Sequence, residues 1–354
     1  MPKNLVLCFD GTNCQFGPEN TNVVRLAQVL ERDPQRQRLY YDPGIGTLPE
    51  PNAFTRVQKW ISKVYGLAFG GGLLGKVAEA YVFLMDSWEP GDRVFLFGFS
   101  RGAYTARAVA GMLYKVGLLT QGNEELIPFA WHMFKYEQDK ELAAGFKTTF
   151  SRGVELEFLG LWDTVSSVGW AWDPQHLPYT QNNPIVRRVR HAVALDERRA
   201  YFVQNLWGNV PSDVVQVWFP GVHCDVGGGL PENESGLSAI ALQWMVREAK
   251  TAGLVLNPEM EKAVLPAENT PAYVAPYAGG PANESLKGLW WIPEFIPKPY
   301  RDPAALFAER WMIHAGRHRY VAPGAKIHAS VFERMRLITD YRPPNIPAEH
   351  QCVS

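Results

Sequence analysis

The sequence has 354 residues and a formal net charge of −1 at pH 7, and it contains no run of basic residues. It therefore gives no electrostatic reason to expect nucleic-acid binding. Hydrophobic residues at 46% and aromatic residues at 12% are enough to fill the core of a large α/β domain. The four cysteines lack C-x-x-C spacing, so we predict no disulfide framework, no zinc site and no cofactor.

The apolar runs of the sequence are all short. Leu5–Phe9 ends at Asp10 and is too short for the core of a signal peptide. No run approaches the roughly 18 apolar residues of a membrane-spanning helix. We therefore expect a cytoplasmic protein, while export without a signal peptide, transient contact with a membrane surface and the oligomeric state stay open.

Strand-like and helix-like stretches alternate along the first 250 or so residues. In chain order the predicted elements are a strand at 5–9, a helix at 23–30 capped by Asn20-Thr21-Asn22, a strand at 38–41, a helix at 76–88 after the glycine-rich run 69–75, a strand at 93–97, a helix after Gly102, a mainly helical stretch at 123–150, strands at 156–162 and 214–219, and a helix at 238–252. This alternation predicts a mostly parallel central sheet with helices on both faces.

From about residue 265 the composition changes to proline, glycine and aromatic residues. We therefore predict a catalytic core over residues 1–264 and a C-terminal cap or flanking segment, 265–354, packed on the core in one structural domain. An apolar acyl pocket or a lipid-facing rim, with core packing as the alternative, is expected for Trp170, Trp172, Trp290, Trp291 and Phe295.

The most informative run is Gly98-Phe99-Ser100-Arg101-Gly102, a G-x-S-x-G motif between a predicted strand and a predicted helix. In a nucleophile elbow the serine lies in a strained strand-to-helix turn that exposes its hydroxyl. The flanking glycines are required because a Cβ there would collide with the neighbouring strand or helix. The helix N-terminus supplies N–H groups and partial positive charge for an oxyanion.

Three side chains that follow predicted strands should meet at one edge of the sheet. Ser100, Asp163 and His223 occur in the order serine, acid, histidine, which is the order of α/β-hydrolases. Ser100 is the candidate nucleophile, His223 the general base and acid, and Asp163 the group that orients the imidazole. The Arg101 N–H is the predicted first oxyanion donor, and the loop at Gly11 and Thr12 is the predicted source of the second.

Each assignment has an alternative. Asp163 could instead cap a helix, Asp225 could serve as the acid, and His328 could replace His223. The other histidines are predicted to lie in helices or loops as surface or core residues; these are His132, His176 and His191. A metal site is a further alternative, with suitable ligand types but no compact spacing at Asp10, Asp163, His223 and Asp225.

At these residues the chain resembles a known family, the α/β-hydrolase domain of unassigned function that is related to the catalytic domain of type VI secretion phospholipase effectors. The resemblance is carried by ordered blocks over nearly the whole chain, at 9–13, 22–23, 98–104, 162–165, 191–199, 217–229 and 327–331. It implies a Ser-Asp-His hydrolase that acts on ester bonds, with lipids as the substrate class in the effector branch.

Three functions remain open from the sequence. The first is a serine hydrolase that cleaves carboxylic esters, of lipids or phospholipids, through an acyl-enzyme. The second is a non-catalytic or toxin-associated binding module that keeps the fold without turnover. The third is an esterase, amidase, thioesterase or polyester hydrolase that uses the same residues on non-lipid substrates.

Overall fold

The computed structural model describes residues 2–12, 14, 16–44, 72–165, 169–170, 173–174, 177–208, 213–302 and 308–354. The strands are β1 (Asn4–Phe9), β2 (Gln37–Asp42), β3 (Arg93–Phe99), β4 (Leu118–Leu119), β5 (Ser151–Arg152), β6 (Leu156–Trp162), β7 (Gly169–Trp170), β8 (Asp173–Pro174), β9 (Val186–Ala194), β10 (Asp213–Phe219), β11 (Lys298–Asp302), β12 (Ala308–Met312), β13 (Ala325–His328) and β14 (His350–Val353). The α-helices are α1 (Asn22–Val29), α2 (Leu73–Ser87), α3 (Arg101–Val116), α4 (Ile127–Tyr136), α5 (Lys140–Phe150), α6 (His223–Gly227), α7 (Gly236–Thr251), α8 (Pro258–Val264), α9 (Trp291–Glu294) and α10 (Ala329–Leu337). Residues 69–71 of the predicted glycine-rich run lie outside the described residues, and Gly72 is the N-cap of α2.

Eight strands form one sheet in the order β14-β13-β10-β9-β6-β3-β1-β2. Every neighbouring pair in this sheet is parallel, which confirms the predicted parallel sheet. The strand order reverses at β1, which pairs with β2 on one side and with β3 on the other. Loops that leave two strands at such a reversal diverge and open a crevice, the usual ligand site of parallel sheets.

Strand alternation divides the core between the two faces of the sheet. In β1, Leu5 and Leu7 belong to a cluster built with α2, α3, α4 and α5. Val6 and Cys8 point the other way, into a cluster built with α1, α7 and α8. The predicted helices on both faces are therefore confirmed, and buried strands of this kind hold the catalytic edge in a fixed position.

The structure adds a strand that the sequence analysis did not predict. β9 lies in the middle of the sheet between β6 and β10. Its first half carries Arg187, Arg188 and Arg190, which hide the apolar pattern of a buried strand. These charges are paired at one end of the strand, for example Arg190 with Glu248 at 2.5 Å, while the second half of β9 is fully buried.

The C-terminal segment contributes to the sheet itself. β13 pairs with β10 and β14 pairs with β13, so both strands extend the sheet rather than lie over the site. The predicted boundary at residue 264 stays a prediction, but part of the segment beyond it shares the central sheet.

The turn between β3 and α3 has the expected strain. Ser100 has φ 58° and ψ −122°, a backbone conformation that residues other than glycine rarely adopt. A Cβ on Gly98 would lie 2.6 Å from backbone atoms of Ala103, and a Cβ on Gly102 would lie 2.2 Å from the carbonyl oxygen of Phe9. The two glycines therefore let the helix and β1 pack directly against the turn.

We predict that Gly102→Ala lowers the free energy of unfolding by about 3 kcal/mol, because the clash is with the backbone of a central strand. Urea denaturation followed by circular dichroism measures the change. Gly145→Ala in α5 is the matched control, since a Cβ there meets nothing within 4 Å, and it should stabilise the helix by up to about 1 kcal/mol. Equal stability of the two variants would contradict the packing described for the turn.

Candidate active site

Ser100 lies in the turn between β3 and α3, as the G-x-S-x-G motif predicts. Its side chain makes no N-cap bond to α3, so the hydroxyl is not used by the helix. Its backbone N–H donates to the carbonyl oxygen of Trp162 at 3.0 Å, which ties the turn to the end of β6. The residue is 7% exposed. The backbone of the turn is therefore held at the end of β6, where Asp163 follows Trp162.

Asp163 is fully buried at the end of β6 and has φ 37°. Its N–H donates to the carbonyl oxygen of Ala192 at 2.8 Å, and its Oδ1 accepts from the N–H of Ala194 at 3.0 Å. The next described residues, Thr164 and Val165, are not helical. The alternative in which Asp163 caps a helix is therefore wrong, and its carboxylate is directed to other groups.

His223 is the first residue of α6, and its ring lies against the acid. The distance from Nδ1 to Asp163 Oδ2 is 2.6 Å. Two aromatic rings enclose the imidazole, with centroid distances of 4.6 Å to Phe99 and 4.8 Å to Phe202. Phe99 directly precedes Ser100, so the imidazole packs beside the elbow. Because Nδ1 is bonded to Asp163, Nε2 is the ring nitrogen that remains for another partner.

A buried arginine completes the surroundings of the acid. The Arg319 guanidinium spans the carboxylate of Asp163, with one nitrogen 2.5 Å from Oδ1 and the other 3.0 Å from Oδ2. Burial by itself raises the pKa of Asp163, but the Arg319 charge and the hydrogen bonds from Arg319 and His223 outweigh it and hold that pKa well below its usual range. The sequence analysis missed Arg319, because an isolated Arg317-His318-Arg319 run in an irregular segment carries no motif.

A second buried carboxylate holds the backbone of the histidine. Glu197 Oε2 accepts from the N–H of His223 at 3.2 Å, and its oxygens also accept from the Arg199 guanidinium and the Ser285 hydroxyl. Burial raises the pKa of Glu197, but the hydrogen bonds and charge of Arg199 outweigh this effect and lower that pKa to about 2. The Arg199 guanidinium lies 3.5 Å from the ring centroid of Phe202, so this ion pair also backs the ring that contacts the imidazole.

The loop after β1 borders the elbow, as expected from the strand order. The Gly11 N–H donates to Asp10 Oδ1 at 2.8 Å, so this predicted oxyanion donor already has an acceptor inside its own loop. The Thr12 hydroxyl oxygen is buried and has no hydrogen-bond partner among the described residues. Thr12, Arg101 and Gly102 line a small cleft of about 10 Å³ at the strand reversal.

The rival acid and the rival histidine have other structural roles. Asp225 Oδ2 accepts from the N–H groups of Val222, at 2.9 Å, and of Asn283, at 3.1 Å. His328 is the N-cap of α10, with Nδ1 2.7 Å from the Ser330 hydroxyl. Burial lowers the pKa of His328 to about 4, so its ring is neutral in this structural position.

Of the other histidines, His191 lies in β9 rather than in a helix or loop. It is fully buried, and burial followed by the nearby Arg107 charge lowers its pKa to about 3. Its Nε2 accepts from the Thr164 N–H. His191 is therefore a core residue, which is one of the two alternatives predicted for it. His132 is exposed in α4. His176 and Trp172 lie outside the described residues.

The four groups proposed for a metal do not share one centre. Asp163 and His223 pair with each other, while the Asp225 carboxylate binds Val222 and Asn283. Asp10 accepts from Thr21 and Tyr41 as well as from Gly11, and burial raises its pKa. In the part of the chain that the structure describes, no group of three or more His, Cys, Asp or Glu side chains has the arrangement of a metal site.

Comparison with known sequences assigns the family. Residues 3–248 match the family described as "T6SS, Phospholipase effector Tle1-like, catalytic domain". The chain belongs to this family. Membership in the Tle1-like family makes the protein a hydrolase-type domain and confirms the predicted resemblance.

One curated sequence and two solved structures are similar to parts of this chain. An uncharacterized protein of Saccharomyces cerevisiae is 44% identical over 227 residues, which are 59% of this chain and 33% of that protein, so the match spans about a third of the relative. The crystal structure of an uncharacterized protein from Pseudomonas aeruginosa is 22% identical and has a TM-score of 0.45, covering 73% of this chain and 48% of that one. The structure of the Tle1 effector bound to the VgrG spike of the type 6 secretion system is 19% identical and has a TM-score of 0.42, covering 67% and 53%.

Among the described residues, no helix has both the length and the apolar character needed to cross a membrane. The cytoplasmic location stays a prediction.

We predict that Glu197→Gln destabilises the domain by about 3 kcal/mol at neutral pH, because it leaves the buried Arg199 charge unpaired. The folded-state pKa of Glu197 is depressed, so its stabilising effect is complete above the unfolded value near 4.5 and is lost as pH falls toward 2. The stability difference between wild type and variant, measured by urea denaturation, should therefore shrink across this window. Glu284→Gln, at an exposed surface pair with Arg198, is the control and should change little at any pH. A difference that stays constant with pH would argue against the ion pair.

Proposed function

We propose that this domain is a serine ester hydrolase that works through Ser100, His223 and Asp163 and forms an acyl-enzyme. The observation that carries the proposal is the buried pair of His223 and Asp163, 2.6 Å apart, packed beside the strained turn at Ser100. A hydroxyl at an elbow, an imidazole beside it and a carboxylate on the far side of the ring are the parts that acyl transfer needs.

The reaction follows from the hydrogen bonds around the imidazole. Asp163 Oδ2 fixes the proton on Nδ1, so Nε2 is the basic nitrogen and takes the Ser100 proton as Oγ attacks the ester carbonyl. The same proton then passes from Nε2 to the departing alcohol, which leaves the acyl group on Ser100. Water, activated by Nε2 in the same way, cleaves the acyl-enzyme, releases the acid and returns the proton to Ser100.

Two donors are proposed for the oxyanion. The N–H of Arg101 follows the nucleophile at the start of α3, where the helix dipole favours negative charge. Thr12 is the proposed second donor, because its buried hydroxyl has no partner among the described residues and lines the cleft with Arg101. Gly11 is the weaker choice, since its N–H already donates to Asp10.

We further propose a lipid ester as the substrate class. The family description names a phospholipase effector, and an apolar surface leads from solvent to the imidazole. Trp290 contacts Phe202, with ring centroids 5.8 Å apart, and Phe202 contacts His223. The side chains beside Trp290 are widely exposed, with Leu289 at 81% and Ile292 at 61%. Apolar and tryptophan side chains of this kind suit a membrane–water interface.

The competing functions differ in what they require. A non-catalytic binding module has no need of an ionised acid buried against a histidine, which favours the enzyme. A thioesterase or polyester hydrolase would use the same three side chains, so the apolar surface at Leu289 and Ile292 is the feature that favours lipid esters.

We predict that Ser100→Ala and His223→Gln reduce hydrolysis of p-nitrophenyl butyrate to the background rate, because each removes a member of the proton-transfer unit. His328→Asn is the control: asparagine is a good N-cap, so it keeps the structural role of His328 and should retain activity within about twofold. A fluorophosphonate should label wild type at Ser100 and leave S100A unlabelled. Turnover that survives in S100A would refute the mechanism.

We predict that the double variant Leu289→Asp with Ile292→Asp loses binding to phosphatidylglycerol vesicles and hydrolysis of vesicle lipid, because carboxylates resist entry into the interface. Its hydrolysis of soluble p-nitrophenyl butyrate should stay within twofold of wild type, since both side chains lie mostly in solvent. Leu142→Asp, at a 52% exposed apolar residue of α5, is the control. If the double variant and the control sediment equally with vesicles, the lipid surface is misassigned.

A further inference from the structure

Among the described residues, the Arg319 guanidinium hydrogen-bonds to Asp163 and to two backbone carbonyl oxygens beside the proposed active site. Its two terminal nitrogens span Asp163, and they also donate to the carbonyl oxygens of Ala194, at 2.9 Å, and of Phe202, at 2.5 Å. Phe202 is the residue whose ring packs on the imidazole of His223. One buried side chain therefore fixes the acid, the strand end that also binds the acid, and the loop that holds the histidine ring.

The segment that carries Arg319 lies beyond residue 248, where the match to the family ends. It is fixed on the core at several points. The Asn345 side chain donates to the Arg319 carbonyl oxygen at 3.1 Å and to the Leu195 carbonyl oxygen of the core at 2.9 Å. The fully buried Glu294 accepts from the N–H of Gly316 at 3.0 Å and from the N–H of Ala200 at 2.6 Å, which joins the segment to the loop after β9. Arg319 is thus presented from a rigid support, as a positioning group needs to be.

The fork on Asp163 has two physical consequences. The first concerns geometry, because a two-point contact between guanidinium and carboxylate fixes the plane of the carboxylate and so the direction of the bond from Oδ2 to the imidazole. The second concerns charge, because a cation on the far side of Asp163 reduces the field that an isolated aspartate would exert on the imidazole. Removing that cation would therefore favour the protonated form of the imidazole.

We propose that Arg319 is a positioning residue for this site, which holds Asp163 ionised and aligned and sets the acid limb of the activity profile. The proposal rests on the proposed function, and it makes the chain beyond residue 264 part of the catalytic apparatus. A triad acid paired with a buried arginine from a distant segment needs that segment in order to work.

Several charged and titratable groups surround the imidazole. Besides Asp163 and Arg319 they are the Glu197–Arg199 ion pair, Asp225 on α6, Cys224 next to the histidine, Arg101 at the elbow and His191 behind the acid. Among the described residues, none of these groups forms a hydrogen bond with Arg319, whereas Asp163 forms two. A substitution at 319 therefore changes the charge that faces the imidazole chiefly at Asp163, while Glu197 also feels the Arg319 charge.

Loss of Arg319 moves the acid limb in the same direction whether Asp163 stays ionised or binds a proton. If Asp163 stays ionised without Arg319, its full charge favours the protonated imidazole and the His223 titration moves up in pH. If the buried Asp163 instead binds a proton, it must lose that proton before the site works, and this also happens at higher pH than in wild type. The acid limb of kcat/KM therefore moves up in pH when the guanidinium is removed.

The test compares Arg319→Gln, Arg319→Lys and Arg334→Gln in the full chain. Arg334 is the matched control: it is also a buried arginine of the C-terminal segment, but it donates to the carbonyl oxygens of Ala278 and Gly280. In R319Q we expect kcat for p-nitrophenyl butyrate to fall about 10²-fold with KM within twofold, and the acid limb to rise by about one pH unit. R319K keeps the charge but not the two-point contact, so its acid limb should return close to that of wild type while kcat stays about tenfold low. R334Q should lose thermal stability without moving the acid limb.

A readout that needs no turnover separates this inference from the proposed function. The His223 imidazole can be titrated by NMR in wild type and in R319Q, and the two midpoints should differ. Should R319Q not fold, R319K provides the test instead: its acid limb should stay close to that of wild type while its kcat is low. Equal His223 midpoints, an acid limb unchanged in R319Q, or the same shift in R334Q would overturn the role of Arg319. Absence of Ser100-dependent turnover in wild type, together with differing midpoints, would overturn the proposed function alone.

Discussion

The buried carboxylate of Asp163 is the charge on which the rest of the site depends. Four hydrogen bonds converge on it, from the Ala194 N–H, from His223 Nδ1 and from both terminal nitrogens of Arg319. An ionised group left unpaired at this depth would be strongly destabilising. Burial of Asp163 in ionised form therefore requires β9, α6 and the C-terminal segment to pack around its side chain. The same assembly forms the candidate active site.

The parallel sheet explains why the hydroxyl and the cleft lie where they do. β1 is flanked by β2 and β3, so the loops at Gly11 and Ser100 diverge at the strand reversal. Close packing at Gly98 and Gly102 forces the serine between them into its strained conformation. The strain at Ser100 is thus a consequence of packing, and the chemistry proposed for the domain uses the turn that this packing creates.

Features encoded locally could be predicted from the sequence, whereas those that depend on distant pairing could not. The elbow at Ser100 and the strand ends at Asp163 and His223 carry short-range patterns of glycines and apolar residues. β9 was missed because Arg187, Arg188 and Arg190 break its apolar alternation, and their partners, such as Glu248, come from elements that only the fold brings close. Arg319 lies 156 residues from Asp163, and no spacing rule connects two such residues.

The most direct measurement is a crystal structure of the protein after reaction with a fluorophosphonate ester. The account predicts phosphorus bonded to Ser100 Oγ, a phosphonyl oxygen facing the N–H of Arg101, and the imidazole of His223 within hydrogen-bonding distance of Oγ while Nδ1 still contacts Asp163 and Arg319 still spans it. An adduct on another residue, or an imidazole turned away from Ser100 with a different base in its place, would contradict it.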